Sequence, residues 1–511
     1  MHRWGKHTVV AFAALVAMSG IGGIGGIGAI DASPAAAAAS AADAVAGCRS
    51  AIGTVPQVGE RSCRSVEQVL RGFANGCRNL GQADTCAVFD GRQVGPSHMQ
   101  AYAKSWTHRA LTLQRELDDD VAFARSTILH THNTFNSPVY APPTLTNQDP
   151  NQIYSIFDQL QMDIRAIEMD VHWVPSAYGT ANTGFNAVTL CHGQVQAGVH
   201  LGCTIDRPLE FGLAELRNWL EQPENKREVV LLYLENNLDE NVLAHDLVAQ
   251  ALQRGLGDLI VRPPADKPCT PLPTLTTPAT LRAAGHRVII VGDCGPGAWG
   301  SWVFERGDKK NWVESGSGPG GDYPGLKTGC ATERKRVGSG QAIVRWYEDS
   351  TWLTAMVEGD SPQLTSIEAS KMAACGATLI GFDQLTPEDP RLNAVVWSWA
   401  KNEPVQSAGR CATSAPDSYF HAKPCTERHR FVCANGPDHW QLTKAAGRWS
   451  EGVKVCRREL RYSRFATPAN GWENTLLRQA AGSREVWMNY ASTRAGRWMP
   501  VPAKQYSFLP A

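Results

Sequence analysis

Ile164-Arg165-Ala166-Ile167-Glu168-Met169-Asp170-Val171-His172-Trp173 is the stretch that decides the fold. It is an apolar run of strand length with two carboxylates inside it. Read as a strand, it points Glu168 and Asp170, at i and i+2, to the same side. Two carboxylates in such a run are too costly to bury unless they are paired or metal-bound. An ion pair with Arg165 or another base would account for them alone, so the decision rests on what surrounds the run.

Similar short apolar runs lie at 126–131, 187–191, 228–235, 287–292, 342–347 and 378–383. Several are nearly continuous in Val, Ile and Leu, as in parallel strands buried on both faces. Helical patterns separate them at 150–162, 213–221, 242–255 and 367–374. Alternation of strand and helix predicts an α/β fold with a parallel sheet. The reading is a TIM-like (β/α) barrel over 119–405, distorted or incomplete because only seven runs are visible where eight strands close a barrel. The Gly-rich stretch 295–340 is too long for an ordinary connection and is expected to hold the missing strand and an active-site loop. A helix at 390–400 ends the barrel, and 401–409 reads as a linker.

Polar residues crowd the ends of these runs: His130-Thr131-His132-Asn133-Thr134 on the first, Glu168 and Asp170 on the second, Cys191-His192-Gly193 on the third, Leu234-Glu235-Asn236 on the fourth. In a barrel those ends meet at one mouth, where the chemistry sits. Asn133, Glu168, Asp170 and Glu235 make an all-oxygen set, suited to Ca²⁺ or Mg²⁺ and poor for zinc. His132 and His192 beside such an ion suit phosphoryl transfer, one holding phosphorane oxygens or moving a proton, the other protonating the leaving alkoxide. His130 and His172 read as structural.

In these four motifs, in this order, the chain resembles the phosphatidylinositol-specific phospholipase C catalytic (X-type) domain over roughly 120–405. The resemblance implies catalytic roles for His132 and His192 and a calcium site of Asn133, Glu168, Asp170 and Glu235. Metal-independent bacterial members carry an Arg at the place of Asp170, so the likeness is to the calcium-dependent branch. Three carboxylates with no such Arg make a site too negative for a phosphodiester unless a cation is present. Arg345-Trp346-Tyr347 resembles the Arg-x-Tyr motif that grips and stacks on inositol, and a strand-end Arg with a packing Tyr explains it equally. Asp383 is placed to orient His132. No lysines stand at 287–293 where eukaryotic members hold ring phosphates, which favours plain phosphatidylinositol, a lipid met at a membrane surface. Two other readings stay open. A glycerophosphodiesterase or phospholipase D-like barrel shares the two His and the Glu-x-Asp pair, though it usually opens with His-Arg-Gly rather than His-Asn-Thr. A non-catalytic secreted binding protein is the second.

The remaining sequence frames this domain. A basic start, an apolar run and an Ala-rich stretch read as a signal peptide and tail over 1–46, hence secretion. Residues 47–118 form a Cys-containing extension, with helices at 65–73 and 102–117. All 14 Cys lie after the signal, which implies disulfides rather than zinc. Residues 410–511 form a small disulfide-rich module; in Trp449 with Cys456, the Glu473-Asn474 pair and Trp487-Met488-Asn489-Tyr490 it partly resembles a C-type lectin-like domain. It has no intact sugar-and-calcium motif, but a carbohydrate or protein ligand is a candidate partner. Formal net charge +0 and 19% charged residues give no sign of a nucleic-acid partner.

Overall fold

The computed structural model describes residues 96–137, 140, 150–196, 199–201, 207–307, 311–316, 342–349 and 364–501. The expected signal peptide and the helix at 65–73 lie outside these residues. In chain order, α1 (Pro96–Ala103) and α2 (Trp106–Asp118) precede β1 (Ile128–Thr131), α3 (Ile156–Gln161), β2 (Ala166–Pro175) and β3 (Asn186–Leu190). A short hairpin, β4 (Gln194–Gln196) and β5 (Val199–Leu201), leads to α4 (Leu209–Glu221), β6 (Val230–Asn237), α5 (Val242–Gly255), β7 (Ile260–Val261) and α6 (Pro278–Ala283). Then come β8 (Val288–Gly292), β9 (Phe304–Glu305), β10 (Trp312–Gly316), β11 (Ile343–Tyr347), α7 (Ser366–Cys375), β12 (Leu379–Phe382) and α8 (Pro390–Ala394).

The sheet runs β10-β11-β12-β1-β2-β6-β8, with β7 beside the start of β8 and β9 beside its end. Every pairing on this path is parallel. The sheet curls into a barrel that stays open, since no ladder joins β9 to β10 among the described residues. Tyr233 and Trp312 nevertheless meet across the interior at 5.6 Å. The expected missing strand is thus shared between β9 and β10, both inside the Gly-rich stretch. One expectation is corrected: the run at 187–191 is not a parallel barrel strand. β3 lies antiparallel along the outer half of β2, Val171 facing Leu190, because the chain turns back through Gly184 at φ 61° instead of crossing over a helix.

Strand alternation sorts the residues. Ala166, Leu231, Tyr233, Ile289, Val291, Ile343 and Leu379 fill the barrel interior, while Ile167, Met169, Val171, Leu232, Leu234 and Ile290 pack outward under the helices. Helix ends follow local rules. α5 starts where Asn241 accepts from the Ala244 N–H at 3.1 Å, and α7 has a Thr365/Glu368 capping box and stops at Gly376, φ 79°. α3 and α8 are shorter than the sequence pattern predicts. Ser155 caps α3 only at Ile156, and after Ala394 the backbone turns away so that Trp397 and Ser398 bond Gln114 on α2.

The last unit contains β13 (Cys411–Ser414), β14 (Phe420–Lys423), β15 (His429–Ala434), β16 (Trp440–Gly447), α9 (Gly452–Glu459), β17 (Arg464–Phe465), α10 (Gly471–Ala481), β18 (Val486–Ser492) and β19 (Trp498–Pro500). Its sheet order is β14-β13-β18-β15-β16. Cys411–Cys425 and Cys433–Cys456 staple it, and Cys269–Cys294 staples the barrel. Trp399 meets Trp498 at 4.7 Å and Phe420 at 5.9 Å, both edge to face, joining the two units in one core. Asn474 donates to the Trp397 and Ser418 carbonyls at 2.9 Å, so this residue of the lectin-like pattern serves packing between the units.

The N-terminal helices are tied to the barrel by Asp163, a left-handed residue at φ 68°. It accepts from Tyr102 Oη at 2.7 Å and Arg115 Nη1 at 2.6 Å and lies 3.0 Å from His108 Nδ1. Burial opposes ionisation, but Arg115, His108 and Arg165 outweigh it and hold the carboxyl at about 2. The depressed value stabilises the fold above about pH 4 by roughly 2 kcal/mol, and this is lost as pH falls toward 2. Asp163→Asn is expected to lower stability by about 3 kcal/mol at neutral pH. Chemical denaturation should show the gap from the parent chain closing below about pH 4.

Candidate active site at the barrel mouth

Going up the strands, the inward-facing set changes from apolar to polar. The floor is Ala166, Leu231 and Leu379. Two residues on come His130, Glu168 and Arg345, and above them His132, Asp170, Glu235, Tyr347 and Asp383. The ladder fixes this: β2 and β6 pair Glu168 with Tyr233 and Asp170 with Glu235, and β1 pairs His130 with Gly381. A Cβ on Gly381 would lie 2.7 Å from both His130 Nδ1 and Tyr347 Cβ, so glycine is what lets those two side chains share the interior.

Glu168, Asp170 and Glu235 come together, each with an oxygen within 4.8 Å of the others. Their charges are treated differently. Arg345 Nη2 bonds Glu168, the Asn133 N–H donates to it at 3.3 Å, and His130 Nε2 lies 3.4 Å away. Against the cost of burial, Arg345, His132 and His130 hold Glu168 well below the usual carboxylate range. Asp170 is pushed up by burial, Glu235 and Glu168, and Glu235 by burial and Glu168.

A guanidinium therefore does enter the cluster, contrary to the sequence reading. It comes from β11, not from the Asp170 position, and it is stacked between Tyr233 at 4.8 Å and Tyr347 at 4.2 Å. Arg345 is only 3% exposed. It faces Glu168 inside the barrel. Tyr347 is half-buried and lies 4.7 Å from the His132 ring.

Asn133 sits where the β1 chain leaves the sheet, at φ 44°. Its amide can be set two ways. In one, Nδ2 donates to Asp170 at 2.9 and 3.2 Å. In the other, Nδ2 donates to Asn151 Oδ1 at 3.2 Å and its oxygen joins those of Asp170. The second setting, with two desolvated acids alongside, fits a hard divalent cation, because only a proton or a cation relieves converging acceptors.

His132 is buried beside this cluster. Its Nδ1 lies 3.6 Å from Asp383 Oδ1 and 3.4 Å from Asn151 Nδ2, and its Nε2 is 3.3 Å from Asn133 Nδ2. Burial works against protonation, but Glu168, Asp383 and Asp349 raise the imidazole to about 9. His130, below it, is lowered by burial, Arg345 and His132 to about 4 and is a neutral packed residue. His192 follows Cys191, whose N–H donates to the Asp170 carbonyl at 3.2 Å. This brings His192, half-buried, to the Asp170 end of β2.

Several residues of the site were not foreseen. Asn151 and Gln152 donate to the two Asp383 oxygens at 3.1 and 3.2 Å, and Asp349 joins His132 and Asp383. Glu348 accepts the Asp383 N–H at 2.6 Å, while Arg391 donates to the Asp383 carbonyl at 2.9 Å and pairs with Glu348. The acids Glu348-Asp349 follow directly on β11 and were readable as strand-end residues. Asn151 and Gln152 sit in aperiodic sequence with no such signal. Arg391→Met would strand Glu348, which burial pushes up to about 7 even with Arg391 present. Loss of about 3–5 kcal/mol is expected, read as a lower midpoint in denaturant, with Arg391→Lys recovering part of it.

Comparison with known proteins places the chain in a family. The Rv2075c PI-PLC-like domain family matches residues 90–389. Two Mycobacterium tuberculosis proteins, Rv2075c (strain ATCC 25618 / H37Rv) and MT2135 (strain CDC 1551 / Oshkosh), both titled uncharacterized, are each 35% identical over 445 residues, 84% of this chain and 88% of theirs. Among solved structures, the phosphatidylinositol-specific phospholipase C of Listeria monocytogenes aligns with TM-score 0.39 and 14% identity over 58% of this chain and 99% of that one. A Ca²⁺-dependent enzyme of the same name from Streptomyces antibioticus aligns with TM-score 0.28 and 14% identity over 54% and 97%. With the family's domain covering 90–389 and relatives 35% identical over 84% of this chain, the chain belongs to the Rv2075c PI-PLC-like domain family.

Proposed function

We propose that this protein is a secreted, calcium-dependent phosphatidylinositol-specific phospholipase C. It cleaves phosphatidylinositol to diacylglycerol and inositol 1,2-cyclic phosphate, which water then opens to inositol 1-phosphate. The observation that carries the reading is the oxygen cluster of Glu168, Asp170 and Glu235 beside a buried, Asp383-flanked His132 at the mouth of the barrel.

Asn133, Glu168, Asp170 and Glu235 would hold the calcium ion, which supplies charge neutralisation for the phosphate and acidifies the attacking hydroxyl. His132, which Glu168, Asp383 and Asp349 favour in its protonated form, donates to a phosphorane oxygen on the side of the inositol 2-hydroxyl. That hydroxyl attacks phosphorus, and its proton passes to a carboxylate of the cluster. His192 protonates the diacylglycerol oxygen as the phosphorus–oxygen bond breaks. Tyr347 offers its ring to the inositol, and Arg345 acts from beneath by fixing Glu168.

Chelation is expected to abolish activity and Ca²⁺ to restore it, and full activity after exhaustive chelation would refute the calcium assignment. His132→Ala and His192→Ala should each cost about two to four powers of ten in kcat. His192→Ala should recover most on a substrate whose leaving group departs unprotonated, and His132→Ala should not. Arg345→Ala should impair inositol substrates and a simple phosphodiester alike; a loss confined to inositol substrates would restore a head-group role. Product analysis separates the neighbouring readings, since a glycerophosphodiesterase would release a glycerol phosphate product and a binding protein none.

A further inference from the structure

At the far end of the molecule, a cleft of about 550 Å³ opens between the Asn435-Gly436 turn and the end of α9. Arg457, Arg461 and Arg464 line it, with Tyr462 and Ser463. We propose that it is a binding site for a phosphate-bearing ligand, separate from the barrel mouth.

Charge is the first argument. Residues 444–464 hold seven basic side chains and two acidic ones. Both acids are already engaged by backbone. Glu451 accepts the Arg448 N–H at 2.8 Å, and Glu459 accepts the Lys444 N–H at 2.7 Å while pairing with Arg458 at 3.3 Å. Asp438, on the same turn as Gly436, reaches away to Arg125 at 3.9 Å. Among the described residues, Arg457, Arg461 and Arg464 make no ion pair. Arg464 is close enough to Glu473 to lower its pKa against the rise that burial causes, and Arg457 and Arg461 line the same cleft; like charges around one cleft repel, a cost that an anion relieves.

Rigidity is the second. The Cys433–Cys456 disulfide lies one residue before Ala434 on one wall and one residue before Arg457 on the other. β17 pairs Arg464 with Ala434, closing the third side. The cleft is therefore fixed before any ligand arrives, and its volume is that of a small-molecule site. Guanidinium forks match phosphate oxygens, and Tyr462, exposed and set at φ 69°, gives a flat apolar wall beside Arg461, 5.2 Å away. Arg125 precedes β1, so Asp438 and this turn lie at the floor end of the barrel. The cleft is no part of the carboxylate mouth.

The test is calorimetric titration of the full chain, with chelator present and ionic strength matched, using inorganic phosphate and glycerol 3-phosphate. A parallel arm sediments the chain with phosphatidylcholine vesicles with or without phosphatidic acid. Binding is expected to weaken about tenfold per guanidinium removed in R457Q, R461Q and R464Q, singly and together. These side chains are exposed, so the melting temperature should not move. If the triple variant melts early, single R461Q carries the test. Loss of the glycerol 3-phosphate signal in the variants identifies a free phosphate ligand, and loss of vesicle binding alone identifies a lipid head group as its source. Binding of neither soluble phosphate ligand nor phosphatidic acid vesicles by the parent chain, or equal binding by the variants in both arms, overturns the proposal. Because activity is not the readout, neither result depends on the phospholipase assignment.

Discussion

The buried pair of Glu168 and Arg345 is the constraint on which the mouth depends. A strand places every second residue inward, so a carboxylate at 168 in β2 has to enter a barrel whose floor is Ala, Leu and Ile. An ionised carboxylate there is untenable alone. Arg345 meets it from β11, and two tyrosine faces hold the guanidinium in place. That single compensation sets the rest of the charge pattern. Asp170 and Glu235 have no such guanidinium partner: burial and Glu168 push both up, and Glu235 adds to the rise at Asp170. They form the part of the cluster with charge left to give to a cation.

The second histidine partner shows the same logic at the level of backbone. Asp383 can face His132 only if β12 ends in one place. Glu348 holds its N–H and Arg391 its carbonyl, and these two side chains also bind each other. The clamp is built from a strand end and a helix, both anchored by the outward core. Behind it, α7 packs on α10 so closely that a Cβ on Gly471 would lie 2.2 Å from the Ala373 carbonyl oxygen. Packing of the C-terminal unit thus buttresses the helix next to the strand that carries Asp383.

The sequence made the barrel legible because buried parallel strands write continuous apolar runs, and the ends of those runs announced His132, Asn133, Glu168, Asp170 and Glu235. It misled at 187–191, since an antiparallel strand buried against β2 writes the same apolar run as a parallel one. β9 was hidden because it is two residues long, and β10 because its five residues, Trp-Val-Glu-Ser-Gly, carry only two apolar side chains. Arg345 was recognised as a residue but not for its contact: a strand-end Arg looks the same whether it meets a ligand or a carboxylate on a strand far away in sequence. Asn151, Gln152 and Arg391 act through positions that only the folded chain brings near Asp383.

Net charge was the least informative number of all. A formal balance of +0 averages two opposed fields. At the mouth, three carboxylates meet one guanidinium within the same few ångströms; at the other end of the barrel, a 21-residue stretch carries five more basic than acidic side chains. Screening in salt removes interactions between charges much more than about 8 Å apart, so the two fields do not cancel where ligands meet them. Each end keeps its own field, negative at the mouth and positive at the cleft. The zero total therefore describes the solubility of the whole chain and says nothing of either site.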